Sequence, residues 1–451
     1  MTAAAILVRT ANGARSVYAM DLDGDGDADV LSASSNDDKI AWYENDGSGN
    51  FGAQQVITTS ANGARSVYAM DLDGDGDADV LSASEADDKI AWYENDCASV
   101  ATCTDGIQNG DETGVDCGGS NCPPCAPDFT DYCQLGLDID GEGADDQSGE
   151  SVSLSSDGSV LAIGAPGNND NGSLLGHVRV YEWDGTGWSQ RGVDIDGEAF
   201  GDGSGISVSL SSDGSVLAIG ADLNDDNGSN SGHVRVYEWD ETAWSQRGGD
   251  IDGEGADDQS GESVSLSSDG SVLAIGAADN DGNGDSSGHV RVYEWTGTVW
   301  SQRGGDIDGE SAGDLSGCSV SLSSDGSVLA IGAVANDDYS GHVRVYEWDG
   351  TDWSQQGADI DGEAFGGGFG ISVSLSSDGS VLAIGAPGDN GNGSNSGSVR
   401  VYEWDGTGWF QRGGDIDGAS AGDGSGSAVS LSSDGSVLAI GAPNNDDNGD
   451  Y

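Results

Sequence analysis

A repeat with a period of about 56 residues constrains the fold of this chain more than any other feature. The stretch from Ser207 to Asp250 represents the repeating unit, which opens with Ser-Val-Ser-Leu-Ser-Ser-Asp-Gly. Copies of this motif begin at Ser151, Ser207, Ser263, Ser319, Ser372 and Ser427-Ala428. A fixed period of this size is typical of repeat architectures, in which each unit buries its apolar surface against its neighbours.

Each unit predicts four short strands, which read SVSLS, SVLAIGA, HVRVYEW and WSQRG. In the third strand, alternation places Val178 and Val180 on one face and Arg179 and Tyr181 on the other, so both faces carry groups that can pack. Sheets of short antiparallel strands that are buried on both faces are typical of propeller blades. The 77 glycines fit many tight turns. We therefore predict an all-β fold, a β-propeller of seven to eight four-stranded blades.

A second, smaller repeat with a period of 50 residues occupies the N-terminal part, where residues 11–34 and 61–84 are nearly identical. The second copy breaks off after Asp96, and YCQLGLDIDGE from Tyr132 aligns with the last strand of the larger unit. Residues 97–131 are therefore predicted to be an insert between strands three and four of one blade. The expected organisation is two small blades in 1–96, the Cys-rich insert in 97–131 and the larger units in 132–451, of which the last is incomplete.

The first ten residues match the fourth strand of the small repeat and could complete the outer part of the last unit, closing the ring. A fragment of a longer array is the alternative. No apolar run in the sequence approaches the roughly 20 residues that a membrane-spanning helix needs.

The charge balance excludes two classes of partner. Fourteen Lys and Arg residues stand against 81 Asp and Glu residues, which gives a formal net charge of −67. Such a surface repels phosphates and anionic lipid headgroups and attracts cations. We expect no nucleic-acid partner and no direct membrane insertion.

Six of the seven cysteines cluster within a short window, and they are Cys97, Cys103, Cys117, Cys122, Cys125 and Cys133. The clustering predicts a local disulfide-rich module and an oxidising compartment. Zinc is the competing interpretation, but no histidine lies near Cys122 and Cys125 to complete a site. The pairing stays open, and Cys318 is expected to be a lone, core or partly buried thiol.

In the large units, Phe369-Gly370-Ile371-Ser372 is followed by Gly385-Ala386-Pro387, and Gly164-Ala165-Pro166 and Gly441-Ala442-Pro443 repeat the second half. These residues resemble the FG-GAP repeat of integrin alpha-subunit propellers. The small N-terminal units resemble the related VCBS-type FG-GAP repeats. The resemblance implies a β-propeller with calcium-binding loops, usually extracellular and usually adhesive or ligand-binding.

Two loops carry the residues that a calcium site needs. Carboxylates occupy alternate positions around glycines that permit a tight turn, so oxygen ligands can converge on one hard cation. The candidate ligands are Asp21, Asp23, Asp25, Asp27 and Asp29 in the first loop and Asp71, Asp73, Asp75, Asp77 and Asp79 in the second. By analogy with such loops, Asp27 and Asp77 would offer main-chain carbonyls. The cofactor expected is Ca²⁺.

The large units depart from this pattern, because Leu154-Ser155-Ser156-Asp157-Gly158-Ser159 is too short and too poor in carboxylates to enclose an ion. We expect hairpin turns there. Acidic stretches such as 194–198 could hold calcium weakly, although solvated acidic loops are the simpler expectation.

No catalytic constellation is expected, because the histidines and arginines occupy the same position in successive units, whereas one pocket needs different groups from different blades. The tryptophans are likewise expected to pack between blades. Positions that differ between copies are the better candidates for recognition: Leu174-Leu175, Tyr339, Phe365, Phe369 and Phe410.

The sequence thus favours an extracellular or cell-surface, calcium-stabilised propeller that binds a protein or glycan ligand and is not an enzyme. A carbohydrate-active propeller enzyme and a purely structural repeat protein of a matrix or cell wall are the alternatives.

Overall fold

The computed structural model of the chain describes residues 14–20, 22, 29–45, 51–70, 78–86, 89–94, 133–169, 174–184 and 187–445. Almost all regular structure in these ranges is antiparallel β-sheet, and the exception is a four-residue helix, α1 (Asn336–Tyr339). The sheets form seven complete blades and one two-stranded sheet. The predicted all-β propeller is confirmed. Within the same ranges, no helix has the length and hydrophobicity that crossing a lipid bilayer requires.

Blades 1 and 2 contain four strands each. Blade 1 consists of β1 (Ala14–Met20), β2 (Asp29–Ser34), β3 (Lys39–Tyr43) and β4 (Gln55–Thr58). Blade 2 consists of β5 (Ala64–Met70), β6 (Asp79–Ser84), β7 (Lys89–Glu94) and β8 (Cys133–Asp140). Strand β8 pairs with β7, so the residues between them in the chain separate strands three and four of blade 2.

Blades 3 to 7 are near-copies of one another. Blade 3 consists of β9 (Ser151–Leu154), β10 (Val160–Ala165), β11 (His177–Trp183), β12 (Trp188–Gln190) and β13 (Ile195–Asp196). Blade 4 consists of β14 (Ser207–Leu210), β15 (Val216–Ala221), β16 (His233–Trp239), β17 (Trp244–Gln246) and β18 (Ile251–Asp252). Blade 5 consists of β19 (Ser263–Leu266), β20 (Val272–Ala277), β21 (His289–Trp295), β22 (Trp300–Gln302) and β23 (Ile307–Asp308).

Blade 6 consists of β24 (Ser316–Leu322), β25 (Val328–Ala333), β26 (His342–Trp348), β27 (Trp353–Gln355) and β28 (Ile360–Asp361). Blade 7 consists of β29 (Ser372–Leu375), β30 (Val381–Ala386), β31 (Ser398–Trp404), β32 (Trp409–Gln411) and β33 (Ile416–Asp417). The two-stranded sheet consists of β34 (Ala428–Leu431) and β35 (Leu438–Gly441).

The fifth strand of each large blade differs from the sequence prediction of a solvated acidic loop at 194–198. Ile195 and Asp196 pair with Val178 and His177, so the chain returns to the third strand after β12. The reason is the buried side chain of Ile195, which packs in the core between blades 3 and 4. The acidic residues of this stretch are thereby held at fixed places beside the third strand.

The ring closes through the two-stranded sheet. Strands β34 and β35 pack against β1 of blade 1, while β34 also packs against β29 and β30 of blade 7. Ala439 shares a small core with Val17 and Val30 of blade 1. The predicted contribution of residues 1–10 to this closure lies outside the described residues.

The serines of the repeated motif join neighbouring blades. Ser151 Oγ donates to Gly205 O at 2.7 Å, and Ser153 Oγ accepts from Leu210 N at 2.9 Å. Gly164 is required beside this contact, because a Cβ on it would lie 2.1 Å from Gly205 O. The alternation of serine with valine and leucine therefore serves two purposes, since one set of side chains fills the core and the other joins the blades.

The two ends of the propeller have different connections. We call the end that carries the links between blades and the loops between strands two and three the upper face. The lower face carries the turns between strands one and two and between strands three and four. Because the first strand of each blade runs from the upper to the lower face, the residue that precedes it lies at the upper mouth of the central channel.

Repeated polar contacts hold the lower face together. In the Ser-Ser-Asp-Gly turn, Asp213 Oδ1 accepts from Ser211 Oγ, Ser215 N and Ser215 Oγ, and these hydrogen bonds lower the pKa of Asp213 although burial opposes them. Ser156 N also donates to Ser212 O of the next blade at 2.8 Å. The predicted hairpin turns at these sites are confirmed.

The tryptophans near the lower face pack between blades. Trp244 Nε1 donates to Arg191 O of the preceding blade at 2.8 Å, and the Arg191 guanidinium lies 4.9 Å from the Trp239 ring centroid. Equivalent contacts join Trp300 to Arg247 and Trp353 to Arg303. The prediction that these tryptophans serve inter-blade packing is confirmed.

Candidate functional site at the upper mouth of the central channel

One residue position at the upper mouth differs from blade to blade. It directly precedes the first inward serine, or its equivalent, of each sheet, and we call its eight residues the rim: Arg15, Arg65, Glu150, Ile206, Glu262, Cys318, Ile371 and Ser427. Six of them line one cavity of about 570 Å³ at the channel mouth, together with the repeated serines and valines below them. Different chemical groups from different blades thus converge on one space.

Two arginines stand on one side of the rim. A β-bulge interrupts the pairing of β1 and β2 at Arg15 and that of β5 and β6 at Arg65, and bulges re-aim side chains in this way. Arg65 pairs with Glu85 of its own blade and with Glu150 of blade 3. These carboxylates raise the pKa of Arg65 against the opposing effect of burial. Arg15 is exposed, and its Nε donates to Ser35 Oγ at 3.1 Å.

Glu262 stands at the rim of blade 5 as a carboxyl group with a perturbed pKa. Glu262 is exposed at the cavity mouth, but partial desolvation by the surrounding groups, together with the nearby charges of Asp222 and Asp279, raises its pKa from 4.5 to about 7. Burial also raises the pKa of Asp222 to about 6. The rim therefore holds a group whose charge changes near neutral pH.

Cys318 occupies the rim position of blade 6. It is the free cysteine of the described residues, and its thiol lies 3.6 Å from Gly332 O. Burial raises the pKa of this thiol to about 11, so it stays protonated at neutral pH and is a poor nucleophile. The expectation of a lone, partly buried thiol is confirmed, whereas the predicted Cys-rich module lies outside the described residues.

Several of the variable residues singled out in the sequence are exposed on the upper face. Tyr339 and Phe365 lie in neighbouring loops of the upper face, where Gly368 N donates to Tyr339 O at 3.1 Å, and both side chains are exposed. Leu174 is also exposed on this face, and Phe410 is exposed on the outer strand β32. Phe369 differs from the expectation, because it is buried in a core and lies under the Arg400 guanidinium.

Of the ten predicted calcium ligands, Asp29 and Asp79 lie within the described residues, and both are buried. Asp29 Oδ2 accepts from Leu22 N at 2.9 Å and Asp29 Oδ1 accepts from Asn45 N at 2.8 Å. These hydrogen bonds fix the Asp29 carboxylate at the start of β2. The other eight residues lie outside the described ranges.

A second kind of polar cluster lies on the upper face, away from the channel. In blades 3, 4 and 5 the histidine that begins the third strand meets carboxylates from the stretches that flank β8 or the fifth strands and, in blade 4, also from the loop between strands two and three. The groups are Glu142, His177 and Asp194; Glu198, Asp226, His233 and Asp250; and Glu254, His289 and Asp306. Burial, with the charge of the adjacent arginine, lowers the pKa of His177, His233 and His289.

Comparison with known families agrees with the fold. The description "FG-GAP-like repeat" matches residues 21–82, and "FG-GAP repeat" matches residues 359–402. The chain is a β-propeller that carries FG-GAP repeats. The resemblance seen in the sequence is confirmed, and this FG-GAP propeller is a ligand-binding or structural repeat module.

The solved structures similar to this FG-GAP propeller include the crystal structure of a functionally unknown protein from Desulfotomaculum acetoxidans. The two chains share 10% sequence identity with a TM-score of 0.50, and the match covers 92% of this chain and 98% of that one. At this identity the likeness shows the fold alone. No curated protein matches the chain significantly.

The sequence contained the signal for the rim, because Cys318, Ile206 and Glu262 share one repeat position. The sequence alone does not show that these residues lie close together. The structure shows it, because the ring of blades brings this repeat position together at the upper mouth of the channel. The histidine clusters gave no such signal, since their acids lie about 35 residues before and 17 residues after the histidine in the chain.

Proposed function

We propose that this FG-GAP propeller is an extracellular or cell-surface, calcium-stabilised module that binds a protein ligand at its upper mouth. The observation that carries the proposal is the rim, where the residue changes from blade to blade while the serine and valine that follow it are repeated. A residue that serves the blade is the same in every copy, so a position that varies around a shared cavity is suited to recognition.

The surroundings of the mouth favour a protein ligand over a glycan. Phe200, Tyr339 and Phe365 are exposed on the upper face, and aromatic residues together with arginine are enriched in protein interfaces. A sugar platform would need exposed tryptophan faces, whereas the tryptophans of blades 4 to 6 pack against each other at tilted angles and have arginine guanidinium groups over their rings near the lower face. We expect the ligand to be a peptide segment in which an acidic residue pairs with Arg15 and a neighbouring apolar residue contacts Ile206.

We place the proposed calcium sites in the acidic stretches that precede β2 and β6 in the chain, between strands one and two of blades 1 and 2. Asp21, Asp23, Asp25 and Asp29, with the Asp27 carbonyl, would hold one ion, and the equivalent residues from Asp71 to Asp79 a second. The ion would neutralise clustered carboxylates and lock the loop between strands one and two. The extracellular setting rests on this calcium demand and on the clustered cysteines.

Chelation tests the calcium part of the proposal. A ligand that binds only the folded state stabilises it by about 2.7 kcal/mol per site at a hundredfold excess over its Kd. We expect EGTA to lower the melting temperature and added CaCl₂ to restore it. Asp29→Asn should reduce that calcium response and Asp184→Asn, in a lower-face turn of blade 3, should not. An unchanged melting temperature under EGTA would contradict structural calcium.

Two libraries test the ligand class. The calcium-loaded protein is probed with a random peptide display library and with a glycan array. Enrichment of peptides with a shared acidic and apolar pattern supports the proposal, whereas binding to glycans alone contradicts it. Binding to neither favours the structural repeat protein, and release of soluble sugars from polysaccharides on incubation would establish the enzyme alternative. Protease accessibility of the protein on intact cells tests the extracellular setting.

A further inference from the structure

The group formed by Glu198, Asp226, His233 and Asp250 stands apart from the calcium loops and from the rim. It lies on the upper face of blade 4, where β16 begins, and its four potential ligand atoms lie within 4.8 Å of one another. His233 comes from the first residue of β16 and Asp226 from the loop before it. Glu198 and Asp250 come from the stretches that flank the fifth strands of blades 3 and 4.

His233 gives this group a feature that surface acidic clusters lack. Its side chain is fully buried, and neither ring nitrogen has a hydrogen-bond partner. The Nδ1 atom faces the Asp226 carboxylate at 3.9 Å, too far for a hydrogen bond. Buried polar groups are normally paired, so an imidazole left in this state beside carboxylates has the arrangement of a metal ligand.

Blade 7 shows how the same pocket is filled when the histidine is missing. Ser398 replaces the histidine, and its Oγ donates to Asp389 Oδ2 at 2.8 Å. The Arg400 guanidinium then lies among three carboxylates, with its nitrogens 3.1 Å from Asp415, 3.2 Å from Asp389 and 3.4 Å from Glu363. An internal cation thus neutralises the acids of this blade.

Blade 4 has no such internal neutralisation. Arg235, the equivalent of Arg400, donates through Nη2 to the Asp196 carbonyl at 2.6 Å. It reaches one acid of the group, with Nη1 at 3.6 Å from Glu198 Oε1. Three exposed carboxylates and a buried imidazole therefore lie close together, with the single positive charge of Arg235 beside them. This excess of negative charge favours the binding of a cation with a higher charge density than a guanidinium group.

We propose that Glu198, Asp226, His233 and Asp250 bind a divalent transition-metal ion such as Zn²⁺ or Co²⁺. A mixed set of one imidazole and several carboxylates suits these borderline cations, whereas Ca²⁺ prefers oxygen ligands alone. The three-residue group around His289 is a weaker version, because blade 5 has Gly282 at the Asp226 position. In blade 3 the sequence has Asp170 at that position, and this residue lies outside the described ranges. The site is independent of the proposed ligand mouth and of the calcium loops.

The experiment is a titration of metal-free protein with CoCl₂ and, separately, with ZnCl₂, in buffer that contains excess CaCl₂. Saturating the oxygen-only sites with calcium keeps the acidic N-terminal loops out of the measurement. Calorimetry gives the stoichiometry and affinity, and the visible absorption of Co²⁺ reports imidazole coordination. We expect one tight binding step in the wild-type protein, followed by weaker steps.

Natural repeat positions supply the variants. His233→Ser copies Ser398 of blade 7, and Asp226→Gly copies Gly282 of blade 5. Loss of a ligand should weaken the tight step at least as much as loss of an outer-shell partner, about 10- to 100-fold. We expect His233→Ser to abolish the tight step, Asp226→Gly to weaken it about 10-fold, and His289→Ser to leave it intact.

Three outcomes overturn the proposal: no binding of either metal up to millimolar concentration, an unchanged tight step in His233→Ser, or loss of the tight step in His289→Ser. Asp226 is exposed, so Asp226→Gly tests the site even where the histidine variant folds poorly.

Discussion

The lower and upper faces of this propeller differ in what the repeat preserves. On the lower face every large unit carries the same Ser-Ser-Asp-Gly turn, and the turns are joined by backbone hydrogen bonds from Ser156 N to Ser212 O and onward from blade to blade. On the upper face the rim residue changes around the ring, the loops differ in length and aromatic side chains are exposed. This difference shows that the repeat preserves the residues that make contacts between blades, whereas the residues at the upper mouth of the channel vary from blade to blade.

Gly214, in the lower-face turn of blade 4, should show the largest effect. Its φ is +63°, and a Cβ would lie 2.6 Å from the Cβ of Val160 in the preceding blade. A left-handed conformation and overpacking each cost about 1–3 kcal/mol, so Gly214→Ala should lower the free energy of unfolding by about 3 kcal/mol. Gly297 has a positive φ but no atom near its Cβ position, so Gly297→Ala is the control, with a loss of about 1 kcal/mol. Denaturant unfolding measures both, and equal losses would refute the close-contact argument.

A second prediction concerns the turn carboxylates. Asp213→Ala removes an acceptor of three hydrogen bonds and should cost about 1 kcal/mol at pH 7. Because the folded state lowers the pKa of Asp213 below 3.8, its contribution is present above that pH and is lost as pH falls through the folded pKa. The stabilities of variant and wild type should therefore converge in acid. A difference that stayed constant down to pH 2 would show that the charge plays no part.

At the rim, Glu262 should make the free energy of unfolding depend on pH with the opposite sign. The folded state raises the pKa of Glu262 from 4.5 to about 7, so its contribution to stability is greatest below pH 4.5 and falls as pH rises towards 7. Glu262→Gln should match the wild type in acid and have the higher melting temperature at pH 8. The difference should be under about 1 kcal/mol, because the side chain is partly solvated.

Glu241→Gln, on the lower face, controls for the loss of one negative charge from this acidic chain. Melting curves at pH 4, 6 and 8 make the comparison. If both variants changed the melting temperature by the same amount at each pH, the pKa of Glu262 would not be raised by the folded state.

The sequence predicted the blades well because their determinants are local and repeated. Alternation identified the strands around Val178 and Val180, and the match of Tyr132 with Trp188 recovered the interrupted blade. The fifth strand escaped prediction because two residues, Ile195 and Asp196, carry no periodicity of their own. Their pairing depends on a core that the next blade completes.

The candidate sites were harder to predict because they depend on ring closure. Arg65 and Glu150 are 85 residues apart in the chain and meet only when blades 2 and 3 pack together. When the copies are aligned, the pattern indicates that His233 is a scaffold residue, because histidine recurs at that position. It is distinguished by the absence of a hydrogen-bond partner at both ring nitrogens, which is visible only in three dimensions.

The central claim, that the upper mouth recognises a ligand while the lower face is scaffold, is tested most directly by a matched pair of variants. Ile206→Glu places at the rim a residue that stands at the same position in blades 3 and 5, and Thr296→Asp places on the lower face a residue found there in blades 3, 4, 6 and 7. Each adds one negative charge, and each should change the free energy of unfolding by less than about 0.5 kcal/mol.

The measurement is the Kd of peptides selected on the wild-type protein. The account predicts a Kd at least about 10-fold higher for Ile206→Glu, a change of about 1.4 kcal/mol, and an unchanged Kd for Thr296→Asp. Unchanged binding in Ile206→Glu, or loss of binding in Thr296→Asp, would contradict it.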